Sequence, residues 1–198
     1  AGDAGGSLGA ALALWHLELK NERKPKEDDM QGSYLGPSYS QKEIENELDK
    51  INASYEIYDE KEIIEKTSEC LKSGDAVGWF QGRMEFGPRA LGGRTIIGDS
   101  RSAETQKTIN LKIKYRESFR PFAPSVREEN ISEYFDIDRP SPYMLLVAKV
   151  AQDKQLHMTK EQESYFGLKK LNIPRSEIPA VTHVDYSARI QSVNKKTN

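Results

Sequence analysis

The chain has 198 residues, a mass of 22.4 kDa and a formal net charge of −2 at pH 7, which fits one sizeable domain or parts of two. Hydrophobic residues make up 36% and the mean hydropathy is −0.73, so the composition is polar but still permits a core. No apolar run approaches the roughly 18 to 20 residues that cross a bilayer, and one cysteine with three scattered histidines excludes an intrachain disulfide and a Cys/His zinc site. These features predict a cytoplasmic protein with no membrane partner.

The first 22 residues read as a helix that follows a glycine-rich turn. The glycines of residues 2–6 predict the turn. Apolar side chains then recur about four apart and predict an amphipathic helix that ends near Asn21: Leu8, Leu12, Trp15 and Leu19. Because this start is too abrupt for a natural N-terminus, we expect the chain to be a piece of a longer protein. Residues 23–39 contain Pro25, Gly32 and Pro37 without periodicity, and they predict an exposed linker.

Two capping boxes predict the next helices. Ser40 precedes Glu43 by three residues, and Asp59 precedes Glu62 in the same way. An apolar stripe follows each box, and Cys70 on the second stripe is expected to be a core residue. Gly74 suits the position just after a helix end.

The rest of the chain mixes short strands and helices, an α+β pattern. We expect a buried strand over 76–80, a short strand over 95–98 and a helix over 102–114 with Ile109 and Ile113 facing inward. A strand over 143–150, a polar excursion over 151–178 and closing strands over 181–184 and 188–193 complete the prediction.

Positive charge is concentrated between Arg83 and Arg120. This window holds nine Lys and Arg side chains against four Asp and Glu, a local charge of +5 that leaves −7 for the remainder. Such a concentration favours an anionic ligand. A solvated basic face is the alternative, but the interleaved Gly, Pro and Phe residues are not typical of one.

A strand that runs into a glycine-bearing turn begins this window. Gly82 and Gly87 have the spacing of a phosphate-binding P-loop, but Pro88 and Arg89 stand where that motif requires Lys and Ser or Thr. The site therefore lacks the hydroxyl that would hold magnesium. We expect an anion cradle with free backbone donors, to which Arg83, Arg89 and Arg94 supply bidentate hydrogen bonds.

A second basic cluster closes the window at a helix-to-strand junction. Lys114, Arg116 and Arg120 precede Pro121 and Pro124, which force an extended exit from the helix. Like charges this close repel, so Glu85, Glu117 or a bound polyanion must neutralise them, and we favour the polyanion. We expect both basic stretches to line one pocket. His183, close to Asp185 and Arg189, is a further candidate.

The strings GRMEFGPRALG (82–92) and RESFRPFAP (116–124) closely resemble the NodU/CmcH carbamoyltransferase family. Further similar stretches are GDAGGSLGAA (2–11), YLGPSYS (34–40), IPAVTHVD (178–185) and SARIQSV (187–193). The resemblance covers nearly the whole chain, more weakly over 46–73 and 131–177.

The resemblance implies a two-domain enzyme. Residues 1–22 would be the last helix of an N-terminal ASKHA-type domain similar to tRNA threonylcarbamoyl transferases. Residues 40–198 would form most of a YrdC-like domain, an α/β twisted open sheet flanked by helices. In the family this domain makes carbamoyl adenylate from ATP and carbamoyl phosphate, and the other domain transfers the carbamoyl group to a hydroxyl of a small-molecule acceptor.

The family also implies roles for particular residues. Lys114 and Arg116 resemble the Lys-x-Arg of YrdC-type domains, and with Arg83, Arg89 and Arg120 they would bind carbamoyl phosphate and the ATP phosphates. Further expected ligands are Gly82, Gly87, Arg94, His183 and Arg189. Magnesium is expected with ATP. Asp3 matches the Gly-Asp motif whose carboxylate holds a metal, expected to be iron, in the ASKHA-type relatives. The histidines that complete that metal site lie outside this chain. The alternative is that Asp3 simply caps the helix.

Some positions depart from the family pattern. Gly93, Ser100 and Tyr186 stand where Asn, Pro and Gly are usual, and the chain ends before the Asn-Thr-Ser-Phe-Asn segment of the relatives. We therefore expect partial or no activity from this piece alone. A basic module for RNA or nucleotide phosphates is the second hypothesis, although a net charge of −2 disfavours nucleic acid. A folded but silent fragment is the third.

Overall fold

The structure is a computed structural model that describes residues 2–24 and 28–196, with the backbone alone for residues 2–4. The chain divides into two units. Unit 1 holds the described residues up to Ile57, Trp79–Thr95 and Lys196, and unit 2 holds Tyr58–Gly78 and Ile96–Lys195.

The N-terminal helix is confirmed, and it begins earlier than the sequence predicts. Helix α1 spans Gly2–Ala13 and continues as a π-helical turn over Leu14–Glu18. The predicted turn over residues 2–6 is wrong, because the helical register extends back through the glycines at a cost of about 1 kcal/mol each. The predicted metal-binding or capping role of Asp3 rests on a side chain that lies outside the described residues.

Both predicted capping boxes are present. Helix α2 (Gln41–Lys50) begins where the Ser40 hydroxyl accepts the N–H of Glu43 at 3.3 Å and the Glu43 carboxylate accepts the N–H of Ser40 at 2.7 Å. Helix α3 (Glu60–Lys72) begins with the same exchange between Asp59 and Glu62. Each box satisfies backbone donors that a helix start leaves free.

Helix α3 ends as predicted, but its apolar stripe is uncovered. Gly74 adopts φ +90°, and the N–H of Asp75 donates to the carbonyl of Cys70, which closes the helix. None of the α3 side chains is buried among the described residues, and Cys70 is exposed rather than in a core.

Part of the predicted linker has a structural role. A 3₁₀ turn over Gln31–Ser33 buries Gly32 and Ser33. Backbone hydrogen bonds then join this segment to the glycine-rich turn: Phe86 N–H to Ser33 O at 2.7 Å, Gly36 N–H to Met84 O at 2.9 Å and Met84 N–H to Pro37 O at 3.0 Å. Its second half is therefore a support for the turn, because the backbone groups of 33–37 find partners there.

The strands form three two-stranded sheets. They pair as β1 (Val77–Phe80) with β2 (Arg94–Ile97), β3 (Ser125–Arg127) with β6 (Gln191–Val193), and β4 (Val147–Lys149) with β5 (Ser187–Arg189). The second pair is parallel with Ser125 opposite Gln191, and the third is antiparallel with Val147 opposite Arg189. The mixed α/β class is confirmed, with helices and small sheets.

Short helices connect these strands. They are α4 (Ala103–Thr108) with a π-helical turn (Ile109–Ile113), α5 (Ile131–Tyr134), α6 (Lys160–Glu163), α7 (Gly167–Leu171), and 3₁₀ turns at Glu128–Asn130, Gln152–Lys154 and Pro179–Val181. Within the described ranges, no helix combines the length and hydropathy of a membrane span.

The core lies in unit 2. It is built from Ile131, Phe135, Val150, Ile178, Val181, Ala188 and Ile190. Several sequence predictions fail around it. Strand β1 alternates half-buried with exposed residues instead of being buried, and the predicted strand at 181–184 is replaced by the 3₁₀ turn. Ile109 is inward as predicted, but Ile113 is 41% exposed because the π turn rotates it off the buried face.

Candidate functional site

The glycine-rich turn of unit 1 is organised by its own carboxylate. Glu85 is buried, and its Oε1 accepts the N–H groups of Leu91 at 2.7 Å, Gly93 at 2.8 Å and Arg94 at 3.2 Å. Burial opposes the ionisation of Glu85, but these backbone donors outweigh burial and hold its pKa below its ordinary value. The expectation that these donors are free for a ligand is wrong, because Glu85 uses them.

Arg94 also holds the turn together. Its guanidinium donates to the carbonyls of Gln81 at 3.0 Å, Gly93 at 2.7 Å and Gly82 at 3.2 Å, and it lies over the Phe80 ring at 3.3 Å. These contacts stabilise the loop between β1 and β2.

The other predicted cations of the turn are exposed. Arg83 donates to the carbonyl of Gly36 at 2.9 Å, and within the described residues Arg89 has no side-chain partner. Gly82 and Gly87 adopt φ +55° and +121°, values that favour glycine, and open space surrounds both. Arg83 and Arg89 are therefore the cations that this turn offers to an anion.

Asn110 organises the basic junction of unit 2. It is fully buried, and its amide nitrogen donates to the carbonyls of Ser118 at 3.1 Å and Arg120 at 2.8 Å. Its Oδ1 accepts Arg116 Nε at 2.6 Å, and the Arg116 guanidinium lies 5.1 Å from the centre of the Phe122 ring. Arg116 is thus held in one orientation. Sequence analysis missed Asn110, whose only signal is an amide within the apolar stripe of a helix.

Lys114 and Tyr115 extend from this junction into solvent. Lys114 is exposed, and Tyr115 is 86% exposed with φ +48°. A positive φ is unusual for a side chain of this size and marks a sharp change of direction between Lys114 and Arg116.

Arg120 and His183 line one pocket of unit 2. Its volume is about 510 Å³, and the charged side chains around it also include Lys107, Glu104 and Arg175. Arg120 contacts Glu117 at 3.0 Å, and Lys107 lies 3.8 Å from Glu104. The pocket therefore carries more positive than negative side chains. It also brings together Arg120 and His183, which lie sixty-three positions apart in the sequence.

His183 belongs to a small hydrogen-bonded turn. Its Nδ1 lies 3.3 Å from Asp185 Oδ1, which also accepts the Ser187 hydroxyl at 2.6 Å and the Ser187 N–H at 3.1 Å. The Ser187 hydroxyl is the main cause that lowers the pKa of Asp185 to about 2, against the opposing effect of partial burial. The ionised Asp185 orients the imidazole.

The predicted site residues therefore fall into two groups. Gly82, Arg83, Gly87, Arg89 and Arg94 belong to unit 1. The candidates in unit 2 are Lys114, Arg116, Arg120, His183 and Arg189. Of these, Arg120 and His183 line the pocket, whereas Lys114, Arg116 and Arg189 do not. Convergence of the two basic stretches on one pocket stays a prediction.

Across residues 5–24 and 28–196, no three His, Cys, Asp or Glu side chains come together in a group that could hold a metal ion.

Comparison with known proteins identifies the class. The family model for the carbamoyltransferase C-terminus matches residues 68–198. The chain is 37% identical over 200 residues to the nodulation protein NolO of Bradyrhizobium diazoefficiens, covering 99% of the chain and 32% of NolO. The chain belongs to the carbamoyltransferase family that includes the NodU proteins.

Other relatives make the relation more specific. An uncharacterized Synechocystis protein is 58% identical over 201 residues, which cover the whole chain and 33% of that protein. The 3'-hydroxymethylcephem-O-carbamoyltransferase of Streptomyces clavuligerus is 35% identical over 131 residues, 66% of the chain and 21% of that enzyme. The chain thus spans about a third or less of the length of these relatives.

Proposed function

We propose that this chain is the donor-activating part of an ATP-dependent O-carbamoyltransferase. It would form carbamoyl adenylate from carbamoyl phosphate and ATP, for transfer to a hydroxyl of a sugar or natural product. The observation that carries the proposal is the pocket of unit 2 that Arg120 and His183 line together. On the same segment as Arg120, Asn110 Oδ1 accepts Arg116 Nε at 2.6 Å and so holds Arg116 in place. Family membership supplies the reaction class.

Adenylation needs fixed positive charge. Water first releases phosphate from carbamoyl phosphate, a carbamate oxygen then attacks the α-phosphorus of ATP, and the bond to pyrophosphate breaks. Negative charge is present on the attacking oxygen, the α-phosphate and the leaving group, so positioning and charge stabilisation lower the barrier. A guanidinium whose orientation is already fixed stabilises these charges without reorganising, and Arg116 meets this condition.

The remaining cations have two kinds of role in this proposal, binding of phosphates and maintenance of the turn. Arg120 and Lys114 are exposed and would close on the phosphates when these bind, and Arg83 and Arg89 are exposed cations of the glycine-rich turn. Arg94 maintains the turn that carries Arg83 and Arg89, because three carbonyls already occupy its guanidinium. Magnesium would enter with ATP as part of the substrate, and its ligands would be mainly phosphate oxygens.

The acceptor and the transfer step belong to the longer protein. The cephem relative is named for an acceptor that carries a hydroxymethyl group. We propose a hydroxylated small molecule as acceptor and an N-terminal domain of the same protein as the partner that binds it. Asp3 would bind iron only together with ligands from that domain.

Calorimetric titration of the chain tests the proposal. We expect binding of carbamoyl phosphate and of ATP with magnesium, and Arg120→Gln should weaken carbamoyl phosphate binding about tenfold, since one hydrogen bond to a charged group is lost. The matched control is Arg127→Gln, an exposed arginine outside this pocket, which should bind as the wild type does. A short RNA that binds while neither small molecule does would replace the enzyme proposal with the nucleic-acid module.

A further inference from the structure

Tyr115 has a backbone conformation that large side chains rarely adopt. Its φ of +48° lies in the left-handed region, where the Cβ of an L-residue comes too close to the following carbonyl oxygen. The backbone before it is fixed, because the N–H of Lys114 donates to the carbonyl of Ile109 at 2.9 Å and ends the π turn. The backbone after it is fixed too, because the N–H of Arg116 donates to the carbonyl of Asn110 at 3.0 Å. Tyr115 therefore occupies the position after a helix end where glycine is the usual residue.

No contact among the described residues offsets this strain. Tyr115 is 86% exposed, so its ring gains almost no free energy from burial. Within the described part of the chain, its hydroxyl has no hydrogen-bond partner and its ring has no aromatic or cationic neighbour. Strained backbone persists where the surrounding structure imposes it, and it is concentrated at ligand-binding sites. The partner of the Tyr115 ring is therefore to be sought outside the chain.

The residues around Tyr115 carry positive charge. Lys112 and Lys114 are both exposed, and neither forms an ion pair with another described residue. The Arg116 guanidinium uses its Nε in a hydrogen bond, and its two Nη groups make none within the described ranges. Nucleotide-binding surfaces combine these two features, because cations contact the phosphates and an aromatic ring stacks on the base.

Other partners account for the ring but not for the charge. A protein surface would bury Tyr115 well, yet protein interfaces are depleted in lysine, and Lys112 and Lys114 stand on the same short segment. A single-stranded RNA would offer bases and phosphates, but the net charge of −2 disfavours its binding. A mononucleotide needs only a few local cations and one ring, which this segment supplies.

We infer that Tyr115 stacks on the adenine base of ATP and contributes affinity that the phosphates alone do not provide. The inference rests on the proposed function for the identity of the nucleotide. Consecutive Cα atoms lie about 3.8 Å apart, so the ring of Tyr115 lies within the length of one nucleotide from a phosphate bound to Lys114 or Arg116. The left-handed turn holds the ring in solvent before the ligand arrives, which lowers the ordering cost of binding.

Titration of the chain with magnesium ATP and with magnesium triphosphate, which lacks the base and the ribose, tests this inference. Tyr115→Asn tolerates the left-handed backbone but has no ring. It should lower the ratio of ATP affinity to triphosphate affinity at least about fivefold, since one base–aromatic stack is lost. Tyr115→Phe keeps the ring and should retain the wild-type ratio. The ring-proton resonances of wild-type Tyr115 should shift with ATP and change little with triphosphate.

Controls separate stacking from stability. Phe166→Asn removes an aromatic ring that is 94% exposed between α6 and α7, and it should leave the ratio unchanged. Tyr115→Gly relieves the left-handed strain, so it should unfold at no lower temperature than the wild type and still lose the ATP preference.

Each remaining outcome contradicts the inference in a distinguishable way. An unchanged ratio in Tyr115→Asn and Tyr115→Gly would overturn it while the ATP binding that the proposed function requires is retained. A chain that binds neither ATP nor triphosphate would refute the inference and the proposed adenylation together. A short RNA that shifts the Tyr115 resonances when ATP does not would replace both with the nucleic-acid module.

Discussion

Glu85 gives the sharpest prediction about the glycine-rich turn. Its Oε1 accepts three N–H groups, and two of the donors, Leu91 and Gly93, are buried. Glu85→Ala leaves these donors unsatisfied. At about 1 to 3 kcal/mol for each buried group, and with partial relief from water entering the space, we expect about 3 kcal/mol of lost local stability.

The variant Glu85→Gln measures how much the negative charge of Glu85 contributes to the stability of the turn. The amide oxygen still accepts hydrogen bonds, but charge-assisted bonds are roughly twice as strong as neutral ones. We therefore expect a loss of about 1 to 2 kcal/mol, roughly a five- to thirtyfold increase in amide exchange. The measurement is native-state hydrogen exchange at the Leu91 and Gly93 amides. The matched control is Glu69→Gln, an exposed glutamate on α3 that should leave both rates unchanged.

The same carboxylate makes the turn sensitive to acid. Because the pKa of Glu85 is lower in the folded chain than in the unfolded chain, its contribution is complete above the unfolded value, 4.5. That contribution is lost as the pH falls through the folded pKa. Protection of Leu91 and Gly93 should therefore decline below about pH 4.5 in the wild type and not in Glu85→Gln. Exchange rates at these amides that do not respond to either substitution would refute the account.

Three further predictions concern other parts of the chain. Asn110→Ala should cost about 2 to 4 kcal/mol in urea unfolding, since it removes a fully buried amide and leaves its three part-buried partners without that hydrogen bond; an unchanged midpoint would contradict it. Gly93→Ala should cost about 1 to 3 kcal/mol because its Cβ would lie 2.6 Å from the Arg83 carbonyl, whereas Gly78→Ala, with open space, should be near neutral. NMR titration of the Asp185 carboxyl should give a pKa of about 2, and this pKa should rise when the Ser187 hydroxyl is removed. The stabilisation from ionised Asp185 is lost as the pH falls through its folded-state pKa of about 2.

Local signals account for the elements that the sequence predicts correctly. The capping boxes at Ser40 and Asp59 and the glycine at position 74 act over three to five residues, so their effect can be read directly from the chain. The helix over 102–114 is predicted from another local signal, the spacing of Ile109 and Ile113, although that signal does not predict its final π turn.

Long-range contacts account for what the sequence did not show. The role of Asn110 depends on the carbonyls of Ser118 and Arg120, eight and ten residues away, which only folding brings near it. Glu85 was considered as a partner for the basic cluster, but its partners are backbone N–H groups of its own turn, and no side-chain pattern encodes these. Arg120 and His183 were named from separate motifs, and only the structure places both on one pocket.

A crystal structure of this chain soaked with carbamoyl phosphate and a non-hydrolysable ATP analogue tests the central claim most directly. The account predicts phosphate oxygens within hydrogen-bond distance, about 2.7 to 3.2 Å, of Arg120 in the unit 2 pocket. Well-ordered ligand that does not contact Arg120, with the pocket occupied by solvent alone, would contradict it.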